Sequence, residues 1–237
     1  VLFLVFRHVR LIDYAYLYSE TRKANEMKDL FTHMIAHELR APLTTMRGYA
    51  SMIRERETSD GDTKKNVLEI ERAAERLVGI VSDLLDIARI QSGKMDIARE
   101  PFHLSGTIRA VVEALHPSAH EKNIHIAIDD PKGTVQMKGD EKRIFQVLTN
   151  IVSNAIKYTN KGTVTISVLE LRDRMEIRIK DTGMGISAHD QQKMFAPFFR
   201  VEGKETAAIT GTGLGLWVTK QLIEHMGGSI GVESIKG

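Results

Sequence analysis

The stretch EKRIFQVLTNIVSNAIKY, residues 141–158, decides how the second half of this chain folds. It reads as one helix following Asp140. Asn154 stands four residues after Asn150, and Lys157 and Tyr158 follow three and four residues later, so all four share one helical face. The flanking sequence is strand-like. Before the helix, residues 101–104 and 134–138 read as short strands, residues 107–122 as a helix, and residues 124–128 alternate apolar and polar. After it, residues 163–171 and 175–180 read as a hairpin turning at Arg172-Asp173-Arg174. Residues 212–226 return to helix and residues 229–232 to strand. The prediction is an α+β sandwich, a mostly antiparallel sheet with helices on one face.

Two glycine-bearing segments flank that helical face in function. Asp181-Thr182-Gly183-Met184-Gly185-Ile186 lies just past a strand, and Gly211-Thr212-Gly213-Leu214-Gly215-Leu216 opens a helix. Each suits one part of a magnesium nucleotide. Mg²⁺ takes hard oxygen ligands and keeps several waters, so neutral amide oxygens plus phosphates suffice. Asn154 is the main candidate ligand, with Asn150 supporting it. Lys157 can balance phosphate charge, and Tyr158 can pack on a base. The Gly211–Gly215 loop can bring backbone N–H groups to phosphates at a helix N-terminus. Asp181 is an acceptor-only carboxylate that can receive the exocyclic amino group of adenine, whereas guanine would present a carbonyl oxygen. ATP is favoured over GTP. Each segment alone is weak; their order and joint placement carry the argument. There is no Gly-x4-Gly-Lys-Ser/Thr loop, and Gly211–Gly215 lacks the spacing of a dinucleotide fingerprint.

Further toward the N-terminus the periodicity changes. Ile35, Leu39, Met46, Tyr49 and Ile53 follow a helical spacing with Pro42 filling one slot. A turn is expected at residues 58–62. Val67, Ile70, Ala74, Leu77, Val81, Leu84 and Ala88 then form a 3-4-3-4 stripe, ended by Gln91-Ser92-Gly93. Residues 1–93 are therefore predicted as a long antiparallel helical hairpin. Two helices cannot cover two apolar stripes, so dimerisation into a four-helix bundle is expected.

On the first helix, His37 lies two residues from Ile35 and from Leu39. At about 100° per residue it points away from their stripe. A nucleophile that meets two partners must be exposed in this way. Glu38 beside it can hold one imidazole nitrogen as N–H and leave the other free to attack. Pro42 should bend the helix. His33 and His37 are also spaced four apart, as metal ligands can be, but position 41 is Ala and no third ligand is evident.

Composition fits this reading. The chain has 237 residues, 33 Lys plus Arg against 31 Asp plus Glu, and a formal charge of +2, which argues against a nucleic-acid-coating protein. It has no Cys, which excludes disulfide scaffolds, thiolate metal sites and cysteine nucleophiles. Residues 1–6 are apolar and Arg7 and Arg10 follow, so this end reads either as the tail of a transmembrane helix with its basic cytoplasmic flank or as the start of a buried helix.

The chain resembles the catalytic core of the sensor histidine kinases of two-component systems. His37-Glu38-Leu39-Arg40-Ala41-Pro42-Leu43 resembles that family's phosphoacceptor box, residues 150–159 its asparagine box, and residues 181–186 and 211–216 its glycine boxes. Met194-Phe195-Ala196-Pro197-Phe198-Phe199-Arg200 resembles its phenylalanine box. The resemblance implies an N-terminal signalling helix (1–24), a dimerisation and histidine-phosphotransfer domain (25–93), and an ATP-binding domain of the Bergerat type (98–237). It implies His37, Glu38 and Asn150 as catalytic residues. It places Asn154, Lys157, Tyr158, Asp181, Gly183, Gly185, Ile186, Phe198, Arg200, Gly211, Thr212, Gly213, Leu214, Gly215 and Leu216 at the nucleotide, and Asn154 and Asn150 at Mg²⁺. The implied chemistry is phosphoryl transfer from ATP to His37, then to an aspartate on a response regulator, by a homodimer at the cytoplasmic side of a membrane. Two departures stand out. Position 41 is Ala where the family usually has Thr, Ser or Asn, which implies weak phosphatase activity. The chain also stops at Lys236-Gly237, where the family continues with a Thr-containing segment and a last strand.

A hydrolase of the same nucleotide fold would place Glu where Asn150 stands, and an amide is no base. A dimeric scaffold with a vestigial nucleotide domain is the non-enzyme alternative, separated by measured ATP binding. Residues 198–211 read as a lid, with Arg200 and Lys204 as candidates to reach phosphates, and residues 92–98 as a hinge.

Overall fold

The computed structural model describes residues 18, 35–36, 38–53, 60–129, 135–172 and 174–201, residues 203, 206 and 209, and residues 211–236. His33, His37 and Lys204 lie outside the described residues. The chain divides into two compact units, Val1–Ser82 and Asp83–Gly237.

Residues 38–53 form helix α1 and Asp60–Gln91 form α2. The stripe expected on α1 is the face that packs. Pro42 is buried, and Ile35, Leu39, Met46, Tyr49 and Ile53 are half-buried. Pro42 has no N–H to offer the Glu38 carbonyl. Below it, the Thr45 hydroxyl donates to the Ala41 carbonyl at 3.1 Å, a local bond common in helix interiors. The turn expected at 58–62 is corrected in part, because Asp60 to Asp62 are already helical. An acidic residue such as Asp62 suits a first turn, where the helix dipole is positive.

The α2 stripe differs from the sequence prediction. The buried positions are Ala73, Ile80 and Ile87, while Val67 and Val81 are exposed and Ile70, Ala74, Leu77 and Leu84 are half-buried. The helix carries two adjacent apolar lines. Packing within the chain takes one, and the other stays on the surface. The helix stops where the sequence indicated. Ser92 and Gly93 form a turn, Gly93 takes φ 64, and Lys94 N–H donates to the Arg89 carbonyl. Only glycine enters that left-handed conformation without a Cβ penalty.

The second unit holds β1 (Glu100–His103), α3 (Leu104–Glu121), β2 (Ile124–Asp129), β3 (Gln136–Gly139), α4 (Glu141–Tyr158), β4 (Gly162–Glu170), β5 (Met175–Asp181), α5 (Ala188–Gln191) and α6 (Gly215–His225). β1 and β3 form an antiparallel pair, and β2, β4 and β5 form a three-stranded sheet. β4 and β5 pair antiparallel as a hairpin, with Val164 opposite Asp181. β2 and β4 pair parallel, with Ile124 opposite Gly162. A parallel pair needs a crossover, and the chain between them runs through β3 and α4. On β4 the buried residues Val164, Ile166 and Val168 alternate with half-buried ones, as one covered sheet face requires. They meet Ile108 and Val111 of α3 and Ile144, Leu148, Val152 and Ile156 of α4 in one core.

Residues 229–236 are irregular, not the strand expected at 229–232. They join no described ladder, and strand preference is expressed only where a neighbouring edge is in register. The segment is held by polar contacts instead. Ile186 N–H donates to the Ser234 hydroxyl at 2.9 Å, and the Gln191 amide donates to the Ser234 carbonyl at 2.8 Å.

Asp140 fixes the start of α4. Its side chain accepts from Arg143 N–H at 3.1 Å and from Ala98 N–H at 3.2 Å, the role of an N-cap. The end of α2 is tied to the same helix. Asp86, 4% exposed, accepts from Arg143 Nη1 at 2.9 Å and from Gln146 Nε2 at 2.7 Å. Burying a carboxylate is tolerable only when it is paired in this way. Nearby Asp83 has its carboxyl pushed up to about 6, first by burial and then by the charge of Asp86.

Candidate functional site

The site is built around the C-terminal half of α4. That helix is amphipathic: Val152, Ala155 and Ile156 go into the core, leaving Asn150, Asn154, Lys157 and Tyr158 half-buried on the other side. Asn150 is pinned by α6. Its amide nitrogen donates to the hydroxyl of Thr219 at 2.7 Å, and a Cβ on Gly215 would stand 2.6 Å from its amide oxygen. Gly215 is thus the residue that lets the N-terminus of α6 approach α4. Lys157 extends its ammonium to within 2.8 Å of where a Cβ on Gly211 would stand, and it lies 5.8 Å from the Tyr158 ring centroid. The first residue of the second glycine segment therefore sits on the lysine expected to carry phosphate charge.

Gly213 meets the phenylalanine segment. Phe198 N–H donates to the Gly213 carbonyl at 2.9 Å. A Cβ on Gly213, whose φ is 73, would stand 2.6 Å from the Phe198 backbone carbon. Phe198 itself takes φ 61 and is buried. A bulky residue in that region is strained by about 1–3 kcal/mol, and such residues cluster at ligand clamps and switch segments. Leu214 is fully buried, and its N–H donates to the Thr212 hydroxyl at 3.1 Å. Leu216 follows half-buried in the first turn of α6. In the described part of the lid, Arg200 Nη2 donates to the Ile209 carbonyl at 2.6 Å, and the buried Thr206 hydroxyl donates to the Val201 carbonyl at 2.7 Å. Arg200 is thus engaged with the lid backbone.

The first glycine segment closes the other side. Asp181 ends β5 with its side chain exposed, and one carboxylate oxygen accepts from Gly183 N–H at 2.8 Å. The rest of that carboxylate can accept from a ligand. A Cβ on Gly183 would stand 2.6 Å from the Tyr158 carbonyl, 2.8 Å from Asp181 Oδ1 and 3.1 Å from the Thr159 hydroxyl. The end of α4 and the Asp181 loop can touch only because residue 183 is glycine. Gly185 has φ 69, and a Cβ there would stand 2.0 Å from the Ile235 carbonyl. The neighbouring Ile186 is half-buried and tied to Ser234.

These residues fit a magnesium nucleotide. The Thr159 hydroxyl is fully buried beside Asp181 and Gly183 and has no hydrogen-bond partner among the described residues, a costly state that a polar ligand or water relieves. Gly211 next to the Lys157 ammonium is a cradle that a side chain would fill. Asn154 lies one turn beyond Asn150 on the face bordered by these loops, and its oxygen is the hard, neutral donor that Mg²⁺ accepts. At Asn150 an amide bound to Thr219 occupies the position where a water-activating carboxylate would have to stand.

In the other unit, Arg76 of α2 donates to the Glu38 carboxylate at 3.1 Å. The partner expected for Glu38, the imidazole of His37, lies outside the described residues. The sequence reading missed Arg76, Thr159 and Thr219. Each is a common residue type on an ordinary helix or turn, and only contacts distant in sequence reveal it.

Comparison with known proteins agrees with this geometry. The family of the His Kinase A (phospho-acceptor) domain matches residues 27–93. The family described as Histidine kinase-, DNA gyrase B-, and HSP90-like ATPase matches residues 139–237. The chain is 34% identical over 225 residues to the sensor histidine kinase GacS of Pseudomonas protegens, covering 92% of this chain and 24% of that protein. It thus spans about a quarter of the length of such curated relatives. The histidine kinase AdeS of Acinetobacter baumannii superposes with a TM-score of 0.66 at 25% identity, covering 84% of this chain and 92% of that one. Full-length ShkA, solved in complex with AMPPNP, superposes with a TM-score of 0.65 at 28% identity, over 85% of this chain and 42% of that one. With both domains matched in the expected order over folds of the expected kind, the chain belongs to the sensor histidine kinases, as the phosphoacceptor and ATPase-fold core of one.

Proposed function

We propose that this chain phosphorylates itself on His37 from ATP within a homodimer and passes the phosphoryl group to an aspartate of a response regulator. The observation that carries the reading is the convergence of two separate segments on the C-terminal half of α4, one at Gly183 and the other at Gly211 and Gly215. Asp181 receives the adenine amino group, Tyr158 packs on the base, and Lys157 with the Gly211–Gly215 backbone holds the phosphates. Asn154, supported by Asn150, would hold Mg²⁺, which when bound neutralises charge developing on the phosphate oxygens. One His37 ring nitrogen forms the N–P bond while the bond from the γ-phosphorus to ADP breaks. Glu38 keeps the other nitrogen protonated, and Arg76 fixes the carboxylate. The exposed apolar line of α2 supports a second copy as the partner. Among the described residues no helix is long and apolar enough to cross a membrane. Incubation with labelled ATP should give an acid-labile, base-stable phosphate. His37→Gln should abolish it while leaving affinity for an ATP analogue unchanged. Label that persists in this variant removes His37 as the acceptor.

Phosphatase action toward the regulator should be weak. Ala41 is exposed on α1, where a hydroxyl or amide would orient an attacking water. A methyl group can neither donate nor accept a hydrogen bond. Lost orientation of that kind costs on the order of a hundredfold in rate. Dephosphorylation of the phosphorylated regulator in the presence of ADP should speed up in Ala41→Thr. Equal, rapid rates in both proteins would reject the idea.

A further inference from the structure

Lys122 lies outside every motif that forms the nucleotide site, yet it completes the helix on which the site is built. It is the C-cap of α3, and Asn123, with φ 55, turns the chain into β2. Lys122 reaches across to the end of α4. Its ammonium donates to the carbonyls of Lys157 at 2.7 Å, Ile156 at 3.0 Å and Thr159 at 3.4 Å.

The last four carbonyls of an α-helix have no donor within the helix. In α4 these belong to residues 155–158. Thr159 N–H donates to Ala155 at 3.1 Å, and Met184 N–H, from the Asp181 loop, approaches the Tyr158 carbonyl at 3.4 Å. The two between them, Ile156 and Lys157, both accept from Lys122. One ammonium therefore satisfies the middle of this terminus and sets its positive charge against the negative end of the helix dipole. The same terminus carries Lys157 and Tyr158, and the adjoining Thr159 lies under Gly183.

We infer that Lys122 is a positioning residue for the nucleotide site, seating Lys157, Tyr158 and the base pocket without touching the nucleotide. The inference rests on the nucleotide-site reading above. Removing the ammonium takes a charged donor from both carbonyls and loosens the last turn. Lys157 and Tyr158 then lose their seat in ground state and transition state alike. Such uniform loss raises KM and leaves kcat nearly unchanged.

The test is calorimetry on the whole chain with a non-hydrolysable ATP analogue and with ADP, well below the unfolding temperature. Lys122→Met keeps the aliphatic stem and loses the charge. Its affinity for both nucleotides should fall about tenfold, the worth of one charge-assisted hydrogen bond. The KM for autophosphorylation should rise by the same factor, with kcat within about twofold. Lys122→Arg, which keeps charge and donors, should restore binding to within about threefold of the parent. A folded Met variant that binds like the parent overturns the inference, as does an Arg variant as weak as the Met variant. If the Met variant does not fold, Lys122→Gln takes its place with a smaller expected loss, and parental affinity there overturns the inference equally. Asp181→Asn separates the two readings. If it binds normally, the nucleotide-site reading fails and the role of Lys122 with it. If it is weakened while the Met variant is not, Lys122 alone is misassigned.

Discussion

The helices of the phosphoacceptor region and the sheet domain treat apolar surface in opposite ways. Of the apolar residues described along α2, Ala73, Ile80 and Ile87 are buried, while Val67, Leu68, Val78, Val81 and Leu85 stay exposed. In the sheet domain, α3, α4 and the three-stranded sheet close over a single core running from Phe102 to Val168. A long helix that leaves a line of valines and leucines in water is unfinished, and covering such a line is worth about 25 cal/mol per Å². The sheet domain buries most of its apolar residues and leaves only scattered ones exposed, such as Ile128, Leu169 and Leu171. On the function proposed above, the exposed line of α2 is where a second copy would pack, and the sheet domain is where a nucleotide would meet polar groups.

The strongest way to break this contrast is to place Asp at Leu77 and Leu84, the half-buried edge of the exposed line. Burying unpaired carboxylates is severely unfavourable, so the dimer dissociation constant should rise by at least about a thousandfold. Nucleotide affinity should be untouched. Sedimentation showing an intact dimer, or calorimetry showing lost ATP binding, would collapse the distinction.

The converse experiment strikes the other region. Asp181→Asn replaces the acceptor-only carboxylate by an amide whose NH₂ can face the adenine amine. Affinity for an ATP analogue should fall roughly tenfold to a hundredfold, with the dimer unchanged in sedimentation. Parental affinity would remove Asp181 from base recognition.

The smallest effect sharpens the comparison at the end of α2. The Asp83 carboxyl is raised from 3.8 to about 6 in the folded chain, by burial first and by Asp86 second. The folded state therefore holds a proton more tightly than the unfolded state. Its stability contribution is fully present below 3.8 and is lost as pH rises through about 6. Asp83→Asn should remove this slope. Thermal melts should show a midpoint about 2–4 °C higher than the parent near pH 7.5 and no gain near pH 4. A gain independent of pH would show that burial of Asp83 is not what perturbs it.

Much of the molecule was legible in the chain itself. Alternation marked β4, helical spacing marked α1 and α4, and Gly93 marked the end of α2 because only glycine takes its φ of 64 cheaply. The two glycine segments were legible as motifs, since loop chemistry is local: Asp181 with Gly183, and Gly211 through Gly215. Less legible were features that depend on what a segment meets. Residues 229–232 read as a strand, but residues 229–236 join no described ladder. The α2 stripe was read as one seam, yet the neighbouring Ala73–Ile80–Ile87 line is the one buried within the chain, because a helix with two apolar lines does not encode which one its own chain takes.

The sequence by itself determined most of the order of elements and the chemistry on offer: a histidine beside an acid, asparagines and a lysine on one helix face, glycines at two loops. These follow from periodicity and side-chain chemistry, which act over a few residues. Only the tertiary structure decided that Gly215 lets α6 reach Asn150, that Phe198 is held in a strained conformation against Gly213, and that Lys122 completes the end of α4. Each is a close approach between residues far apart in the chain, set by how the elements pack, and packing distance is not written in any local pattern.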